Sequence, residues 1–520
     1  MALKITYATM SADNAELNEA YELGLETARS WLGADQPFYV DGEARTSPDK
    51  HEERSPIDSE IVIGRFSKGT EQDVEDAVAA AAAFAPQWAA TPWRERVALI
   101  RKAGDIMEER MPELAGVMAI EVGKNRLEAL GDIAETVEFC RYYADQMELH
   151  DGFVTPLGKL SDNEENVSVL RPHGVWAVIS PFNFPMALAA GPSIGALLTG
   201  NTVVLKPAHA GAFVSLKLYE VFMDAGIPAA AFHVVTGPGR IIGNALVHHP
   251  QVGGITFTGS YEVGMDIYRT FSAGWPKPAV CEMGGKNPTI VTATADLEAA
   301  AEGVVRAAFG FSGQKCSACS RVYVERPAYD EFVDLLVHKT AQLTVGNPLD
   351  KSVFMGPVID GSTVKKFTDA VAEVNASGGQ ILTGGERLTG GDLARGNYVQ
   401  PTVVTAPYDS WVWKQELFMP FVAVGAVDSL GEAIDRCNDS EYGLTAGLFS
   451  GSEADASEFF DRIEAGVTYV NRRAGSTTGA WPNIQSFGGW KGSGTSGTGG
   501  GGPWYLRQFM REQSRTVVTG

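Results

Sequence analysis

The sequence is poor in cysteine and in long apolar runs, and each shortage excludes a class of protein. Its 520 residues contain five cysteines, an odd and sparse set unlike the disulfide frameworks of small secreted domains, so free thiols are expected. The first twenty residues lack a basic start followed by an apolar core. The longest apolar stretches, at 79–85 and 186–198, are shorter than the ~18 to 20 residues of a membrane span. We therefore expect a cytoplasmic protein that does not cross a membrane.

Positive charge is also scarce. The chain has 42 Lys and Arg against 64 Asp and Glu, a formal charge of −22, and no basic block. Such a surface repels phosphate backbones and anionic lipids, so neither a nucleic acid nor a membrane is an expected partner. Hydrophobic content of 44% and charged content of 20% are typical of globular proteins. At ~150 residues per domain, the length indicates about three domains.

Short apolar runs alternate with helical runs through the middle of the chain, without any repeat of fixed period. Strands are predicted at 174–179, 202–205, 232–235 and 255–257, and helices at 185–198, 213–225, near 241–247 and from 261. A second block follows, with strands at 289–291 and 322–324 and helices at 296–309 and 328–343. Strands separated by helices predict parallel sheets joined by right-handed crossovers. We predict an α/β fold with two doubly wound domains and a ligand cleft between them.

A glycine-rich stretch precedes the end of the chain. Nine of the fifteen residues in 488–502 are glycine, a composition that taken alone is typical of a flexible linker. Because Pro-Trp-Tyr-Leu follows at 503–506, we expect the tail to dock again as an edge strand or an oligomerisation arm.

Cys316 is a candidate nucleophile, since it lies among small and polar residues in a loop between a helix and a strand. The neighbouring Lys315 could favour the thiolate. The alternative is a small buried apolar residue. With Cys319 it also forms a Cys-x-x-Cys pair, but the other cysteines are isolated. No second ligand pair is therefore available, and we predict no metal site.

Several polar residues lie at predicted strand ends, and two of them have alternative interpretations. Glu282 is either a buried general base or an exposed strand-end carboxylate. Asn183 is either a helix cap or an amide that holds an oxyanion. Lys206 follows a strand, where it can meet ribose or phosphate oxygens. Gly259 and Ser260 form a glycine turn before a helix, an arrangement that binds diphosphates, although no G-x-G-x-x-G pattern is present.

These fragments together resemble the NAD(P)-dependent aldehyde dehydrogenase superfamily. The matching motifs occur in order as Pro-Phe-Asn-Phe-Pro at 181–185, Lys-Pro-Ala at 206–208, Phe-Thr-Gly-Ser at 257–260, Glu-Met-Gly-Gly-Lys at 282–286, Gly-Gln-Lys-Cys at 313–316, Glu-Leu-Phe at 416–418 and Ser-Phe-Gly-Gly at 486–489. The resemblance implies a cofactor-binding domain (1–149 and 173–284), a catalytic domain (285–495) and an oligomerisation arm (150–172 and 496–520). It also implies a homodimer or a dimer-based hexamer.

The resemblance implies a role for each candidate residue. Cys316 attacks an aldehyde to give a thiohemiacetal, the Asn183 amide holds the oxyanion, and Glu282 activates the water that hydrolyses the resulting thioester. The residues implied in cofactor binding are Lys206 and His209 for the adenosine ribose, Gly259 and Ser260 for the diphosphate, and Glu416 and Phe418 for the nicotinamide ribose and ring.

Local motifs at 313–321, 355–358, 478–480 and 485–489 resemble the L-glutamate-γ-semialdehyde dehydrogenases, which act in proline catabolism. In that subfamily the positions of Ser317, Gly479 and Ala480 bind the substrate carboxylate, and those of Phe184 and Phe487 wall its aliphatic chain. The alternatives are the same chemistry on another acidic or aromatic aldehyde, or a non-catalytic binding protein that keeps the fold.

Three departures from the family pattern affect specificity. His209 replaces a glutamate that holds the adenosine ribose, which removes repulsion toward a 2′-phosphate, so NADP is expected to be accepted beside NAD. Met419 replaces a glycine and is expected near the nicotinamide. The stretch 471–478 is a few residues longer than the subfamily pattern, which allows a different acidic or aromatic aldehyde in the pocket.

Overall fold

Two seven-stranded, mostly parallel sheets organise the chain. The computed structural model describes residues 14–473 and 481–519. Its helices are α1 (Ala15–Ser30), α2 (Glu71–Ala90), α3 (Trp93–Glu109), α4 (Met111–Val122), α5 (Arg126–Leu149), α6 (Ala187–Leu198), α7 (Ala212–Ala225), α8 (Asn244–His248), α9 (Tyr261–Phe271), α10 (Leu297–Phe309), α11 (Tyr329–Ala341), α12 (Gly361–Ala376), α13 (Leu430–Asn438) and α14 (Glu453–Arg462).

The strands in chain order are β1 (Asp35–Gln36), β2 (Phe38–Val40), β3 (Glu43–Arg45), β4 (Lys50–Arg54), β5 (Val62–Ser67), β6 (Val154–Pro156), β7 (Glu164–Pro172), β8 (Val175–Ile179), β9 (Thr202–Lys206), β10 (Phe232–Val234), β11 (Val252–Thr258), β12 (Ala279–Glu282), β13 (Asn287–Val291), β14 (Cys319–Glu325), β15 (Gln380–Thr383), β16 (Thr402–Thr405), β17 (Phe421–Val427), β18 (Tyr442–Gly443), β19 (Thr445–Phe449), β20 (Val467–Val470), β21 (Trp490–Lys491) and β22 (Met510–Val518). The predicted strands and helices of both blocks are present, with bounds that differ by a few residues. Residues 239–243 are an exception, because they form a π-helical turn before α8 where an α-helix is predicted nearby.

The first sheet has the order β12-β11-β8-β9-β10-β2-β3, and the five strands from β12 to β10 are parallel. Alternate residues of β8 point to opposite faces. Trp176 and Val178 pack with α3 to α7, whereas Val175 and Ala177 pack with α2, α8 and α9. A strand buried on both faces is apolar throughout, which explains its continuous hydrophobic sequence. This half of the chain is doubly wound.

The second sheet repeats this arrangement in the order β15-β16-β17-β14-β13-β19-β20, with only β15 antiparallel. Tyr323 on β14 packs with α12, α13 and α14 on one face, and Val322 and Val324 pack with α10 and α11 on the other. The predicted α/β fold with two doubly wound sheets is therefore confirmed.

A small antiparallel sheet, β22-β7-β6, forms an arm. The tail returns as its edge strand, with Met510 to Val518 paired along β7. Just before this strand, Tyr505, Leu506 and Phe509 are buried in the core of the first half. The domain boundaries at 149, 172, 284 and 495 stay predictions. Within the described ranges, no helix is both long and apolar enough to span a bilayer.

Candidate active site

Cys316 lies where two cavities meet. A wide cleft of about 820 Å³ is bordered by the carboxyl ends of strands in the first sheet and by residues of the second half. A narrow cavity of about 100 Å³ lies on the other side and is lined mainly by apolar side chains. Cys316 borders both. The wide cleft contains Asn183, Lys206, Gly259, Ser260, Glu416 and Phe418, and the narrow cavity contains Glu282, Ser317, Phe184 and Phe487.

The loop before Cys316 has an unusual backbone. Phe311, Ser312 and Gly313 have φ values of +48°, +55° and +66°. Such a conformation costs of order 1–3 kcal/mol for a non-glycine residue and persists only when its surroundings hold it. Here the Ser312 hydroxyl donates to the Gly356 carbonyl at 2.8 Å, and the Gln314 side chain accepts from the Ile359 N–H at 2.8 Å. The nucleophile is thus presented on a strained and firmly anchored loop.

Burial raises the pKa of the Cys316 thiol to about 12, and the nearby carboxylates of Glu416 and Glu282 add to this effect. The expectation that Lys315 favours the thiolate is wrong. Its ammonium lies 2.7 Å from the Glu128 carboxylate and is neutralised there. Since almost no thiolate exists at neutral pH, the thiol has to lose its proton when it reacts.

Glu282 is the last residue of β12 and its carboxyl group lies in the narrow cavity. Burial raises its pKa to about 8, although the Gly489 N–H, 3.3 Å from Oε2, donates to the carboxylate and opposes the rise. The alternative of a freely exposed strand-end glutamate is therefore wrong. A carboxyl group with this pKa can accept a proton near neutral pH.

Asn183 does not cap a helix. It follows β8, is 3% exposed and borders the wide cleft. Helix α6 begins only at Ala187, with Met186 at its N-cap. The capping interpretation therefore fails, and the Asn183 amide is available to a reacting group in the cleft.

Lys206 ends β9 at the wide cleft. Its ammonium donates to the Pro207 carbonyl at 2.8 Å, and burial lowers its pKa to about 8. Ser260 caps α9, whose positive N-terminal end faces the cleft. The Gly259 N–H is already bonded to the Glu282 carbonyl at 3.1 Å. Helix polarity and the Ser260 hydroxyl are therefore the groups left for a diphosphate at this turn.

Glu416 and Phe418 complete the cleft beside Cys316. The Glu416 carboxylate accepts from the Gly285 N–H at 3.0 Å, and burial raises its pKa to about 7. A Cβ atom at Gly284 would overlap this carboxylate, so a larger residue there would displace the Glu416 side chain. Phe418 has a φ of +56° and packs edge-on against Phe182. Met419 is buried in the core of the second half, and its expected place near the nicotinamide stays a prediction.

His209 lies in a small separate pocket beside the wide cleft, where its ring packs 4.7 Å from that of His51. Burial lowers its pKa to about 4, and the positive neighbours His51, Lys206 and Lys68 contribute. The imidazole is therefore neutral at pH 7, and it introduces no negative charge near Lys206.

The narrow cavity contains residues that sequence reasoning missed. Glu135, Phe139 and Tyr143 border it, and they recur every four residues on one face of α5. The Tyr143 hydroxyl accepts from the Gly501 N–H at 2.9 Å, which fixes the glycine-rich tail against the helix. The helical period is the signal that could have identified this face. Gly479 and Ala480 lie outside the described residues, as does most of the lengthened stretch 471–478.

Cys319 is buried on β14, with its sulfur 3.3 Å from the Thr289 hydroxyl. This environment is that of a packing residue. Among residues 14–473 and 481–519, no three His, Cys, Asp or Glu side chains are grouped as metal ligands.

The wide cleft has the features that a dinucleotide requires. Its volume of about 820 Å³ is in the range of cofactor sites. It offers a buried ammonium at Lys206, a helix N-terminus at Ser260 and a carboxylate at Glu416 beside the thiol. The residues present therefore fit a nicotinamide dinucleotide with its ring next to Cys316.

Comparisons with known proteins point the same way. The model of the aldehyde dehydrogenase family matches residues 43–515. A 1-pyrroline-5-carboxylate dehydrogenase of Anoxybacillus flavithermus is 39% identical over 507 residues, 96% of each chain. The structure of a 1-pyrroline-5-carboxylate dehydrogenase from Thermus with bound NAD has a TM-score of 0.93 at 34% identity, covering 98% of this chain and 97% of that one. An NADP-dependent enzyme of E. coli has a TM-score of 0.86 at 29% identity, covering 93% and 98%.

Proposed function

Because the chain belongs to the aldehyde dehydrogenase family, we propose that it oxidises L-glutamate γ-semialdehyde to L-glutamate with NAD or NADP. The observation that carries this proposal is the position of Cys316 between a cleft that fits a dinucleotide and a narrow cavity that contains Glu282. Relatives named 1-pyrroline-5-carboxylate dehydrogenase support the choice of substrate.

The reaction begins with attack of the Cys316 sulfur on the aldehyde carbon. The thiol has a pKa raised to about 12 by burial, so its proton leaves during attack. Glu282 and Glu416 are the carboxylates near it that can accept this proton. The Asn183 amide and the Cys316 N–H hold the oxyanion of the thiohemiacetal.

Oxidation and hydrolysis use groups in the two cavities that Cys316 borders. Glu416 and Phe418 would hold a nicotinamide in the wide cleft, where the ring would supply the acceptor for the hydride of the thiohemiacetal. Cys316 then carries a thioester, and Glu282 removes a proton from the water that hydrolyses it. Because burial raises the pKa of Glu282 to about 8, its carboxylate is a stronger base than an exposed glutamate would be.

Substrate recognition takes place in the narrow cavity. The Ser317 hydroxyl, with the backbone of Gly479 and Ala480, binds the α-carboxylate without adding a cation beside the thiol. Glu135 borders the same cavity and receives the α-ammonium group. Phe184 and Phe487 pack on either side of the aliphatic chain.

Cofactor binding takes place in the wide cleft. Lys206 contacts the adenosine ribose, Gly259 and Ser260 form the turn at the diphosphate, and Glu416 and Phe418 contact the nicotinamide ribose and ring. A neutral His209 leaves the ribose 2′ position free of carboxylate repulsion, which supports the use of NADP beside NAD.

We also propose a cytoplasmic homodimer or dimer-based hexamer. Apolar side chains of the arm are exposed, among them Val154, Leu157, Val517 and Val518, and apolar patches of this kind commonly mark subunit contacts. Sedimentation velocity would test the assembly, and a monomer at micromolar concentration would contradict it.

The proposed substrate is tested by the rate of NAD(P)H formation with three aldehydes. We expect the highest kcat/KM for glutamate semialdehyde, a lower value for glutarate semialdehyde, which lacks only the ammonium group, and the lowest for butanal, which lacks both charges. A preference for butanal would contradict the assigned substrate while leaving the oxidation chemistry intact. Absence of turnover with every aldehyde would support the non-catalytic alternative.

A further inference from the structure

Four charged side chains form two ion pairs near the reaction centre, and the mechanism proposed above uses none of them. Lys124, Asp132 and Lys315 are buried, and the Glu128 side chain is 14% exposed. Lys124 Nζ lies 2.8 Å from Asp132 Oδ2, with both side chains fully buried. Lys315 Nζ lies 2.7 Å from Glu128 Oε1. We call these four residues the four-charge cluster. Its charges cancel, and its two carboxylates lie one helical turn apart on α5.

One half of the cluster holds the nucleophile loop. Lys315 directly precedes Cys316 and follows the left-handed backbone of 311–313. Its ion pair with Glu128 ties this loop to α5. A Cβ atom at Gly310 would lie 2.9 Å from Glu128 Oε1 and 3.1 Å from Lys315 Nζ. The absence of a side chain at Gly310 therefore leaves space for the ion pair between Glu128 and Lys315.

The other half holds the segment that carries Asn183. Asp132 Oδ1 accepts a hydrogen bond of 2.8 Å from the N–H of Ala187, the first residue of α6. Lys124 Nζ lies 3.7 Å from the centre of the Phe184 ring, next to Asn183, and 5.1 Å from that of Phe311 in the nucleophile loop. Lys124 therefore contacts both catalytic segments at once.

We propose that the four-charge cluster fixes the position of the Cys316 thiol relative to the Asn183 amide. The inference rests on the proposed function, which assigns the oxyanion to Asn183. The nucleophile loop is tied to α5 by the Lys315–Glu128 ion pair, and the Asn183 segment is tied to the same helix by the hydrogen bond from the Ala187 N–H to Asp132. Charged groups in a low-dielectric environment make such contacts strong and their geometry restrictive. Lys124, Glu128, Asp132 and Lys315 are thus positioning residues. An error of about 1 Å in such a site can cost ~10²-fold in rate.

The first test is Glu128→Gln, which keeps the side-chain volume and an acceptor oxygen but removes the charge. We expect the single-turnover rate of NADH formation at saturating aldehyde to fall at least ~10-fold, with the Kd for NAD⁺ within ~2-fold of the wild type. Glu138→Gln is the matched control. It makes the same change on α5, where Glu138 pairs with Arg141 at 3.4 Å outside the cluster. We expect Glu138→Gln to leave the rate unchanged.

A second variant separates positioning from the effect of an unpaired charge. Glu128→Gln leaves Lys315 buried without its counter-charge, which can destabilise the fold. The double variant Glu128→Gln/Lys315→Met removes both charges together. We expect it to be folded and still at least ~10-fold slower than the wild type. Recovery of the wild-type rate in the double variant would overturn the proposal, as would an unchanged rate in a folded Glu128→Gln protein.

A readout that needs neither aldehyde nor cofactor keeps this inference separate from the proposed function. The rate of Cys316 alkylation by iodoacetamide, followed by mass spectrometry, depends on the exposure and ionisation of the thiol alone. We expect it to change at least ~3-fold in both Glu128 variants and to stay unchanged in Glu138→Gln. Unchanged alkylation in all variants would remove the role of the cluster. A wild type that oxidises no aldehyde would instead remove the proposed function.

Discussion

The two cavities that meet at Cys316 are built in different ways. The wide cleft is formed by strand ends and a helix N-terminus of the first sheet, each with its polar residue inside a short contiguous motif. The narrow cavity combines one face of α5, the residues around Cys316 and the glycine-rich tail. A site made from local motifs serves a cofactor that many enzymes share, whereas a site made from distant segments can differ from one enzyme to the next.

The largest effect is expected at the residue that borders both cavities. Cys316→Ala removes the sulfur on which the thiohemiacetal and thioester form, so we expect kcat to fall by at least ~10⁴-fold. The Kd for NAD⁺, measured by calorimetry, should stay within ~2-fold because the wide cleft keeps its other residues. Turnover above ~1% of the wild-type rate would contradict the assignment of the nucleophile.

Glu282→Gln is expected to affect hydrolysis more than oxidation. Removing the base that activates water should slow the steady-state rate by ~10²- to 10³-fold. The first turnover should be slowed less, since Glu416 remains near the thiol. Stopped-flow absorbance would then show a burst of NADH, and a steady-state rate equal to that of the wild type would remove Glu282 from this role.

Glu282 is also expected to make the hydrolysis rate depend on pH. Burial raises the pKa of Glu282 to about 8, so the active carboxylate is the minor form at pH 7 and increases as the pH rises through 8. We expect the hydrolysis rate of the wild type to rise over this range. The Gln variant has no such group, and its profile should lack the rise.

A third change acts on the narrow cavity alone. Glu135→Gln removes the carboxylate proposed to receive the substrate ammonium, and we expect KM for glutamate semialdehyde to rise ~10-fold or more. Glutarate semialdehyde has the same carbon chain without the ammonium group and serves as the internal control, with an unchanged KM. Equal effects on both aldehydes would show that Glu135 shapes the cavity without recognising the ammonium group.

The smallest effect is expected on the choice between the two cofactors in the wide cleft. His209→Glu places a negative charge near Lys206, and we expect the ratio of Kd for NADP⁺ to that for NAD⁺ to rise ~3- to 10-fold. The aldehyde KM should not change, since His209 lies away from the narrow cavity. An unchanged ratio would show that the 2′-phosphate is directed away from this residue.

Much of the fold and of the wide cleft could be predicted from sequence, because apolar strands such as β8 and caps such as Ser260 depend on neighbouring residues. The electrostatic environment of Cys316 could not be predicted from sequence. Lys315 is adjacent to Cys316 in sequence, yet its charge is taken by Glu128, which is 187 residues away. Met419 sits in a cofactor motif, yet tertiary packing buries it in the core. For both residues, contacts between segments that are distant in sequence determine the environment of the side chain.

The hydrogen bond between Tyr143 and Gly501 joins residues that are 358 positions apart. Closing so long a loop carries a large entropic cost, and contacts of high sequence separation tend to form slowly. The narrow cavity is therefore complete only once the tail has returned to α5. Until then Cys316 lacks the walls that the tail supplies, so a substrate-binding signal during refolding would report the docking of the tail.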